Sequence, residues 1–323
     1  MAEYLKMRGG RGKVFLIKLA LKNLTRHKKR TIITAGVIAI AIFFYIFLDS
    51  MMLGLTNESF ESIINFKSGH IQIVNSEYWE EKEELPLKNL ITYDNSLINR
   101  DKMNQFQVQG ISPELRFGGN LNNGIDEIPV TGRGIKLENV KKVFSYDNYF
   151  VEGAWFTPGK KQLVIGKELS QLMELNLGDY VTILVKTKGD TFNTIEGEIT
   201  GLLHTPNPDI NSSTVLLPLS TVQKALNVDN KVSQIKIRLN DKEKAGKAAS
   251  VLNDQFTGTN SSIKAYTWKE AAKFVVHMGK AQQTENQIIL GIILLIAAVG
   301  IINTVLLSAL ERMKEIGMMK ALG

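Results

Sequence analysis

The chain has 323 residues, a formal net charge of +7, 44% hydrophobic residues and no cysteine. The lack of cysteine excludes disulfide frameworks, thiolate metal sites and cysteine nucleophiles. The mean hydropathy of -0.03 is that of an ordinary soluble protein. The apolar residues are nevertheless concentrated in two long runs, which are separated by more than two hundred residues of mixed sequence, enough to build a cored domain.

The first thirty residues are strongly basic, with ten Lys or Arg residues and a single acidic residue. Residues 14–30 predict an amphipathic helix, because Lys18, Lys22 and Arg26 recur every four residues and apolar residues fill the opposite face. A basic arm is also typical of nucleic-acid binding. Next to an apolar run, such an arm more often binds anionic lipid headgroups. We therefore interpret residues 1–30 as a cytoplasmic basic amphipathic helix that contacts the lipid bilayer and no nucleic acid.

Residues 31–53 form the first apolar run and predict a transmembrane helix. Eight basic residues lie in the twenty positions before Thr31, whereas only Lys67 lies in the twenty after Leu53. By the positive-inside rule, the N-terminus is predicted to be cytoplasmic and residues 54–287 to be extracytoplasmic. No small-x-small cleavage site follows the run, so we interpret it as an uncleaved anchor.

Residues 54–287 predict a large α+β extracytoplasmic domain, because helical and strand patterns alternate along them. A helix over Thr56–Phe66 prolongs the first span, and a helix over Trp268–Gln287 runs into the second. The acidic stretch Glu77–Glu84 predicts an exposed loop, and residues 106–135 predict short strands joined by Gly/Asn turns. Further strands are predicted at 70–75, 162–166, 180–187, 194–203, 214–218, 233–239 and 262–266, with helices at 167–175, 220–227 and 241–252.

Residues 288–310 form a second apolar run without a charged residue. As a helix this run extends about 34 Å, enough to cross a bilayer core of about 30 Å. It returns the chain to the cytoplasm, so both termini are predicted to be cytoplasmic. Small and hydroxyl-bearing residues recur every four positions in both runs and predict close helix packing. They are Thr31, Ala35 and Ala39 in the first run, and Gly300, Thr304 and Ser308 in the second, where Asn303 also needs a hydrogen-bond partner.

The sequence contains no recognisable catalytic signature. It holds neither an HExxH nor a GxSxG pattern, and its four histidines are widely spread. The nearest approach to a phosphate loop, residues 153–161, has one residue too many between its glycines and a Lys where a magnesium-binding hydroxyl belongs. Gly132-Arg133-Gly134 lacks the third glycine of a dinucleotide loop. We therefore expect no enzyme active site, no metal site and no cofactor in this chain.

The candidate functional segment is the charged stretch that directly follows the second run, residues 311–323. Its Arg312 and Glu315 can pair at i, i+3. Ile316 and neighbouring methionines offer an adaptable apolar face, and Gly317 permits close approach of a partner or a bend. We interpret this stretch as a cytoplasmic coupling helix, although a generic juxtamembrane helix would show the same features.

The same stretch carries a resemblance to a known family. Residues 311–323, ERMKEIGMMKALG, closely resemble the ER-x-x-EIG-x-x-x-ALG signature of MacB/FtsX-like ABC transporter permeases. The resemblance implies two transmembrane helices that bracket a MacB-like periplasmic core domain. Other segments similar to the family are residues 19–24 with Arg26 and Arg30 (the entry helix), and 165–169 with 177–179 (the periplasmic domain). Residues 69–73, and 201–203 with 207–209, resemble the lipoprotein-releasing branch, of the LolC/LolE type.

The resemblance implies a mechanotransmission mechanism in the bacterial inner membrane. A separate cytoplasmic ABC ATPase binds ATP and grips the coupling segment of a permease homodimer or heterodimer. In the releasing branch, its closure extracts a lipoprotein substrate from the outer leaflet and passes it to a periplasmic carrier. The positions that the signature assigns to ATPase coupling are Glu311, Arg312, Glu315, Ile316, Gly317, Ala321, Leu322 and Gly323.

Other functions remain open from the sequence. A MacB-like efflux permease or an FtsX-like regulatory permease would share the same signature. A two-span membrane sensor with a periplasmic ligand-binding domain fits the same topology and would need a signalling domain beyond residue 323. Because family members continue with two further spans, we expect this chain to be a fragment or a truncated product of a four-span permease.

Overall fold

The computed structural model describes residues 28–94, 97–259 and 262–321, apart from the side chains of eight helical residues: Arg30, Thr31, Arg100, Thr259, Thr304, Ser308, Arg312 and Glu315. Most of the amphipathic helix predicted over residues 14–30 therefore lies outside the described residues. The chain divides into two compact units. Among the described residues, one unit contains residues 28–57 and 277–321, and the other lies within Glu58–Val276.

The helices and strands of the described residues alternate along the chain. The α-helices are α1 (Lys28–Ile63), α2 (Ser76–Glu80), α3 (Arg100–Met103), α4 (Leu137–Val143), α5 (Lys167–Leu172), α6 (Pro208–Ser213), α7 (Leu219–Leu226), α8 (Ala245–Thr259), α9 (Trp268–Ala271) and α10 (Lys273–Ala321). A π-helical turn, Ile64–Ser68, follows α1 directly. The strands are β1 (Ile71–Asn75), β2 (Ile91–Thr92), β3 (Val108–Asn122), β4 (Glu127–Ile135), β5 (Phe150–Gly153), β6 (Gln162–Gly166), β7 (Tyr180–Lys186), β8 (Phe192–Leu203), β9 (Thr214–Pro218), β10 (Lys231–Val232), β11 (Gln234–Leu239) and β12 (Ile263–Thr267).

Two helices of the described chain are long and apolar enough to cross a membrane, judged by length and composition. They span Ile32–Ser68 and Lys273–Ala321, with mean hydropathies of 2.4 and 2.8 over their most apolar windows. The prediction of two apolar helices around a large domain of helices and strands is confirmed. Helix α10 is regular from Lys273 to Ala321, so the predicted coupling segment, as far as it is described, continues the predicted span as one helix.

In the first unit, α1 and α10 lie antiparallel. A Cβ added at Gly300 would lie 3.1 Å from Thr34 Cγ2, and one at Gly279 would lie 3.6 Å from Thr56 Cγ2. Between these two contacts, the Asn286 side-chain amide donates to the Asp49 carboxylate. The half-buried positions on both helices recur at alternating spacings of four and three, as in an antiparallel coiled-coil seam. They include Thr34, Ile38, Ala41 and Tyr45 on α1, and Leu290, Ile293, Ala297 and Gly300 on α10.

The second unit is built on a ten-stranded mixed sheet, with strand order β12-β1-β11-β3-β4-β9-β6-β8-β5 and with β7 pairing both β3 and β8. Only the β4–β9 and β6–β8 pairs among the described strands are parallel. Because side chains alternate between faces along a strand, paired registers place apolar residues of β1, β11 and β3 on one face and polar residues on the other. The apolar face, which includes Ile71, Ile73, Ile235, Ile237 and Leu115, is fully buried.

Three local predictions were wrong. The acidic stretch Glu77–Glu84 is not simply an exposed loop, because it begins within α2, which buries Tyr78 and is capped by the Asn75 side chain. Residues 106–135 contain one long hairpin, β3 and β4, instead of several short strands. The helix predicted over Trp268–Gln287 is interrupted at Ala272, whose ψ of 21° separates α9 from α10.

Candidate functional site

The predicted coupling segment lies in the last turns of α10. The large apolar side chains Met313, Ile316 and Met319 are each about 60% exposed. A Cβ added at Gly317 would meet no heavy atom within 4 Å, so the helix surface at this position is open. The side chains of Arg312 and Glu315, and the whole of Leu322 and Gly323, lie outside the described residues. The segment therefore presents an apolar, open helix surface.

The predicted membrane-packing residues separate in the structure. Gly300 lies in the seam against Thr34, while Asn303 is exposed. Ala35 and Ala39 are also exposed, because the α1 seam is formed by the neighbouring positions that include Thr34 and Ile38. The structure does not describe the side chains of the remaining predicted residues, Thr31, Thr304 and Ser308.

A group of buried charges lies on the polar face of the sheet in the second unit. We call Glu114, Arg133, Tyr146 and Lys236 the anchoring cluster. The Arg133 guanidinium donates to both Glu114 carboxylate oxygens, at 2.9 and 2.8 Å. The Lys236 ammonium lies 3.1 Å from Glu114 Oε2. All four residues are at most 3% exposed. The ion pairs that join the three strands are therefore buried and shielded from water.

The anchoring cluster also holds the turn that follows α1. Arg133 Nη1 donates to the Phe66 carbonyl at 2.8 Å and to the Tyr146 hydroxyl at 2.7 Å. Tyr146 donates to the same Phe66 carbonyl at 2.7 Å, and the Lys236 ammonium donates to the Lys67 carbonyl. The last carbonyls of a helix otherwise lack partners. The cluster satisfies them here and binds the end of α1 to the sheet.

The electrostatics of the anchoring cluster favour a charged Glu114–Arg133 pair. Burial alone would raise the pKa of Glu114, but the adjacent Arg133 and Lys236 outweigh it and lower that pKa to about 2. Burial lowers the pKa of Lys236 well below its usual range, with Glu114 opposing this shift and the positive charges of Arg133 and Arg116 adding to it. Burial raises the pKa of Tyr146, so its hydroxyl stays protonated and can donate to Phe66.

The two glycines that flank Arg133 leave room for side chains on the opposite face of the sheet. A Cβ at Gly132 would lie 2.0 Å from the Phe117 ring, and one at Gly134 would lie 2.9 Å from Val222 Cβ. The Gly-Arg-Gly sequence therefore permits close packing on one face of the sheet, while the Arg133 side chain is buried on the other. These residues do not form a dinucleotide-binding loop, because they lie within β4.

Within the described ranges, no group of three or more His, Cys, Asp or Glu side chains is arranged to hold a metal ion. The family of the chain is instead given by comparison with known protein families. Residues 31–255 match the family described as the MacB-like periplasmic core domain. The chain belongs to the MacB-like periplasmic core domain family.

Two relatives of this MacB-like chain are 22% identical over 225 residues and 24% identical over 327 residues. The first is the lipoprotein-releasing system transmembrane protein LolE of Haemophilus influenzae, with 67% of this chain and 53% of that protein covered. The second is the uncharacterized ABC transporter permease MJ1507 of Methanocaldococcus jannaschii, with 95% of this chain and 75% of that protein covered. The MacB-like chain thus spans about half the length of LolE.

Among solved structures, the chain is similar to the periplasmic region of MacB from Actinobacillus actinomycetemcomitans. The TM-score is 0.42 at 13% identity, with 67% of this chain and 96% of that structure covered.

Sequence reasoning missed the anchoring cluster of this MacB-like domain. The local pattern gave no warning of it, because Lys236 stands between Ile235 and Ile237 in a short alternating strand. An alternating pattern of this kind normally indicates that the polar face meets water. Here the Lys236 side chain is 2% exposed, because the turn after α1 covers that face.

His70 gives the MacB-like domain a pH-dependent stability. The side chain is 4% exposed, and its Nδ1 accepts a hydrogen bond from the Leu239 amide at 3.1 Å. Burial, together with Arg238, lowers the pKa of His70 to about 4. The unfolded chain therefore binds this proton more tightly than the folded chain, so stability is complete above about pH 6.5 and is lost as the pH falls toward 4.

We expect the free energy of unfolding to decrease by up to about 3 kcal/mol across this pH interval. Chemical unfolding of the full chain in detergent, followed by tryptophan fluorescence at several pH values, measures the slope. The matched variant is His70→Asn, whose carbonyl can still accept from Leu239 but does not titrate. An equal slope in the variant and the parent chain would contradict the assignment to His70.

Proposed function

We propose that the chain is the permease subunit of an ABC transporter that works by mechanotransmission. The observation that carries the proposal is the attachment of α1 to the outer domain. The helix that contains the first apolar run continues to Ile63, and the carbonyls of Phe66 and Lys67 are bound by Arg133 and Lys236. A displacement of α1 along its axis is resisted by charge-assisted hydrogen bonds in a low-dielectric interior, so it is transmitted to the sheet.

The cytoplasmic end of this proposal is the coupling segment. We propose that a separate ABC ATPase binds ATP and contacts residues 311–323, while this chain is not itself an enzyme and uses no cofactor. The exposed Met313, Ile316 and Met319 provide an apolar contact surface on α10. Because α10 is one unbroken helix, force applied to this surface would act directly on the second span.

The membrane arrangement follows from the same proposal. The two apolar helices cross the inner membrane, residues 54–287 lie in the periplasm and both termini lie in the cytoplasm. The exposed faces that carry Ala35, Ala39 and Asn303 are suited to a second permease subunit, because small residues permit close approach and the Asn303 amide can hydrogen-bond across helices.

For the transported substrate, we propose a lipoprotein that is released from the outer leaflet to a periplasmic carrier. This proposal is supported by the relationship to LolE and by the residues that resemble the releasing branch. The second candidate is efflux or regulation in the manner of MacB-like and FtsX-like permeases, which the family match favours equally. Crosslinking in membranes distinguishes the two by the periplasmic partner that is captured: a lipoprotein carrier, or an adaptor protein.

A two-span sensor remains the competing class of function. In a sensor, the surface formed by Met313, Ile316 and Met319 would contact a signalling domain instead of an ATPase. The experiment that decides between them uses the tagged chain purified from its native membranes, with quantification of the ATPase that is retained and of its hydrolysis rate.

Two substitutions sharpen this experiment. Glu315→Lys reverses a charge of the coupling signature, and Gly317→Leu fills the open helix surface at that position. We expect each to reduce the retained ATPase at least tenfold, which corresponds to about 1.4 kcal/mol of binding free energy. The matched control is Lys314→Glu, an exposed charge reversal at a position that the signature leaves variable. Equal retention by all three variants would contradict the proposed coupling role.

A further inference from the structure

A cavity of about 540 Å³ lies within the second unit, and no step of the proposed coupling mechanism uses it. We call it the cationic cavity, because Lys67, Lys82 and Arg116 line it. The two carboxylates on its lining are Glu83 and Asp209. Asp209 is paired with Lys67 at 3.1 Å, which leaves more positive than negative charge facing the cavity.

Two of these cations form no ion pair with a carboxylate of the described residues. The half-buried Arg116 guanidinium makes no hydrogen bond or ion pair with any described residue. An arginine stays charged at any physiological pH, so this charge is always present. The Lys82 ammonium lies 3.4 Å from the centroid of the Trp79 ring, and burial lowers the pKa of Lys82. Both groups would gain from an anion in the cavity.

Gln72 is an independent sign of a ligand. Its side chain lines the cavity and is only 6% exposed, yet its amide forms no hydrogen bond with the described residues. The register places it on the polar face of the sheet between Lys236 and Tyr266. An amide in a mostly buried side chain costs free energy when it lacks a hydrogen-bond partner. A bound group that carries hydrogen-bonding oxygens removes that cost.

Part of the cavity lining is apolar. It is formed by Ile63, Ala271, Phe274 and Val275. Ile63 is the last residue of α1, and Phe274 is the second residue of α10. Phe274 is 76% exposed, which is unusual for a phenylalanine beside a folded domain. The cavity lining thus combines cationic and amide side chains with apolar side chains, some of which belong to the two helices that contain the apolar runs.

We propose that the cationic cavity binds the phosphate headgroup of an anionic phospholipid, with the lipid's hydrocarbon against Phe274 and Val275. The phosphate oxygens accept from the Arg116 guanidinium, the Lys82 ammonium and the Gln72 amide. Arg116 supplies a planar fork of donors that matches a phosphate. Binding at this site does not depend on an ATPase partner. A negative binding result would therefore leave the coupling experiment unaffected.

The test measures ligand binding to the full chain in a neutral detergent by isothermal titration calorimetry. The probes are short-chain phosphatidylglycerol, short-chain phosphatidylcholine and inorganic phosphate, each at the same ionic strength. We expect phosphatidylglycerol to bind at one site per chain, at least tenfold more tightly than either of the other probes. If inorganic phosphate bound as tightly as phosphatidylglycerol, the site would be assigned to free phosphate. The proposal that it binds a lipid would then be overturned. If none of the three probes bound, the cavity would be filled by water and the proposal would be overturned.

Three variants locate the binding site. Arg116→Gln and Lys82→Gln are each expected to weaken phosphatidylglycerol binding at least tenfold, and Phe274→Ser is expected to weaken it while leaving phosphate binding unchanged. The matched control is Lys247→Gln, which removes the same charge from an exposed position of α8. Lys82→Gln keeps the test decisive if Arg116→Gln proves unstable. Binding that is equally strong in Lys82→Gln and Lys247→Gln would overturn the assignment.

Discussion

Replacing Arg133 by methionine is expected to destabilise the second unit by about 3–5 kcal/mol, because it removes one partner of a buried ion pair. The substitution leaves the fully buried Glu114 carboxylate without its bidentate donor. It also removes a donor from the Phe66 carbonyl and from the Tyr146 hydroxyl. The measurement is the chemical unfolding of the full chain in detergent, followed by tryptophan fluorescence.

The control for this prediction is Lys161→Met, which breaks the ion pair between Lys161 and Glu196. Those two side chains are 73% and 58% exposed, so the loss should stay within about 1 kcal/mol. A similar loss in the Arg133 and Lys161 variants would show that burial does not distinguish the two pairs, and that the anchoring cluster contributes no more than a surface contact.

Replacing Gly166 by alanine is expected to cost about 3 kcal/mol or more. A Cβ at this position would lie 2.1 Å from the Asn211 carbonyl oxygen and 2.3 Å from that of Ile210. Both atoms belong to the backbone, so no side-chain rotation can relieve the overlap, and β6 must move away from α6. The same unfolding measurement, combined with the yield of folded protein, reports the effect.

The comparison variant is Gly246→Ala. This glycine is exposed in α8, and an added Cβ would meet no heavy atom within 4 Å. Alanine should stabilise the helix by about 0.5–1 kcal/mol, because it restricts the unfolded chain and favours helical backbone. If Gly166→Ala were as well tolerated as Gly246→Ala, the close approach of α6 to β6 would be refuted.

The elements that sequence reasoning found are those whose signal is local. Strands β1, β6 and β9 are short apolar or alternating segments bounded by turn residues, and the two apolar runs are long enough to identify by length alone. The hairpin of β3 and β4 was divided into short strands because its glycines and asparagines resemble turns. Within β3, Gly119 instead lies directly against the Ile183 side chain and the Leu184 carbonyl oxygen of β7.

The anchoring cluster could not be predicted because it depends on sheet register. Glu114, Arg133 and Lys236 are far apart in the sequence and meet only when β3, β4 and β11 pair in the observed order. The pairing places Glu114 opposite Gln234 and Arg116 opposite Arg133. Reading each strand separately indicates three solvated charges, and only the turn after α1 converts that face into an interior.

The coupling segment presents the opposite case. A short sequence signature proposes its role, and its residues Met313 to Met319 lie on a helix surface that is open to a partner. No fold-level argument was needed to select it, because the residues are contiguous in the chain.

The attachment of Phe66 and Lys67 to the sheet determines where this domain can be exchanged between relatives. A chimera could be joined just before β1, near residue 69. Its turn after α1 would then come from one parent, and the anchoring cluster that holds the turn would come from the other. A junction upstream of Glu58 transfers the turn, Arg133, Tyr146 and Lys236 together. Hybrid chains built with such a junction should keep a folded second unit, whereas in those joined at residue 69 the second unit should be cleaved readily by proteases.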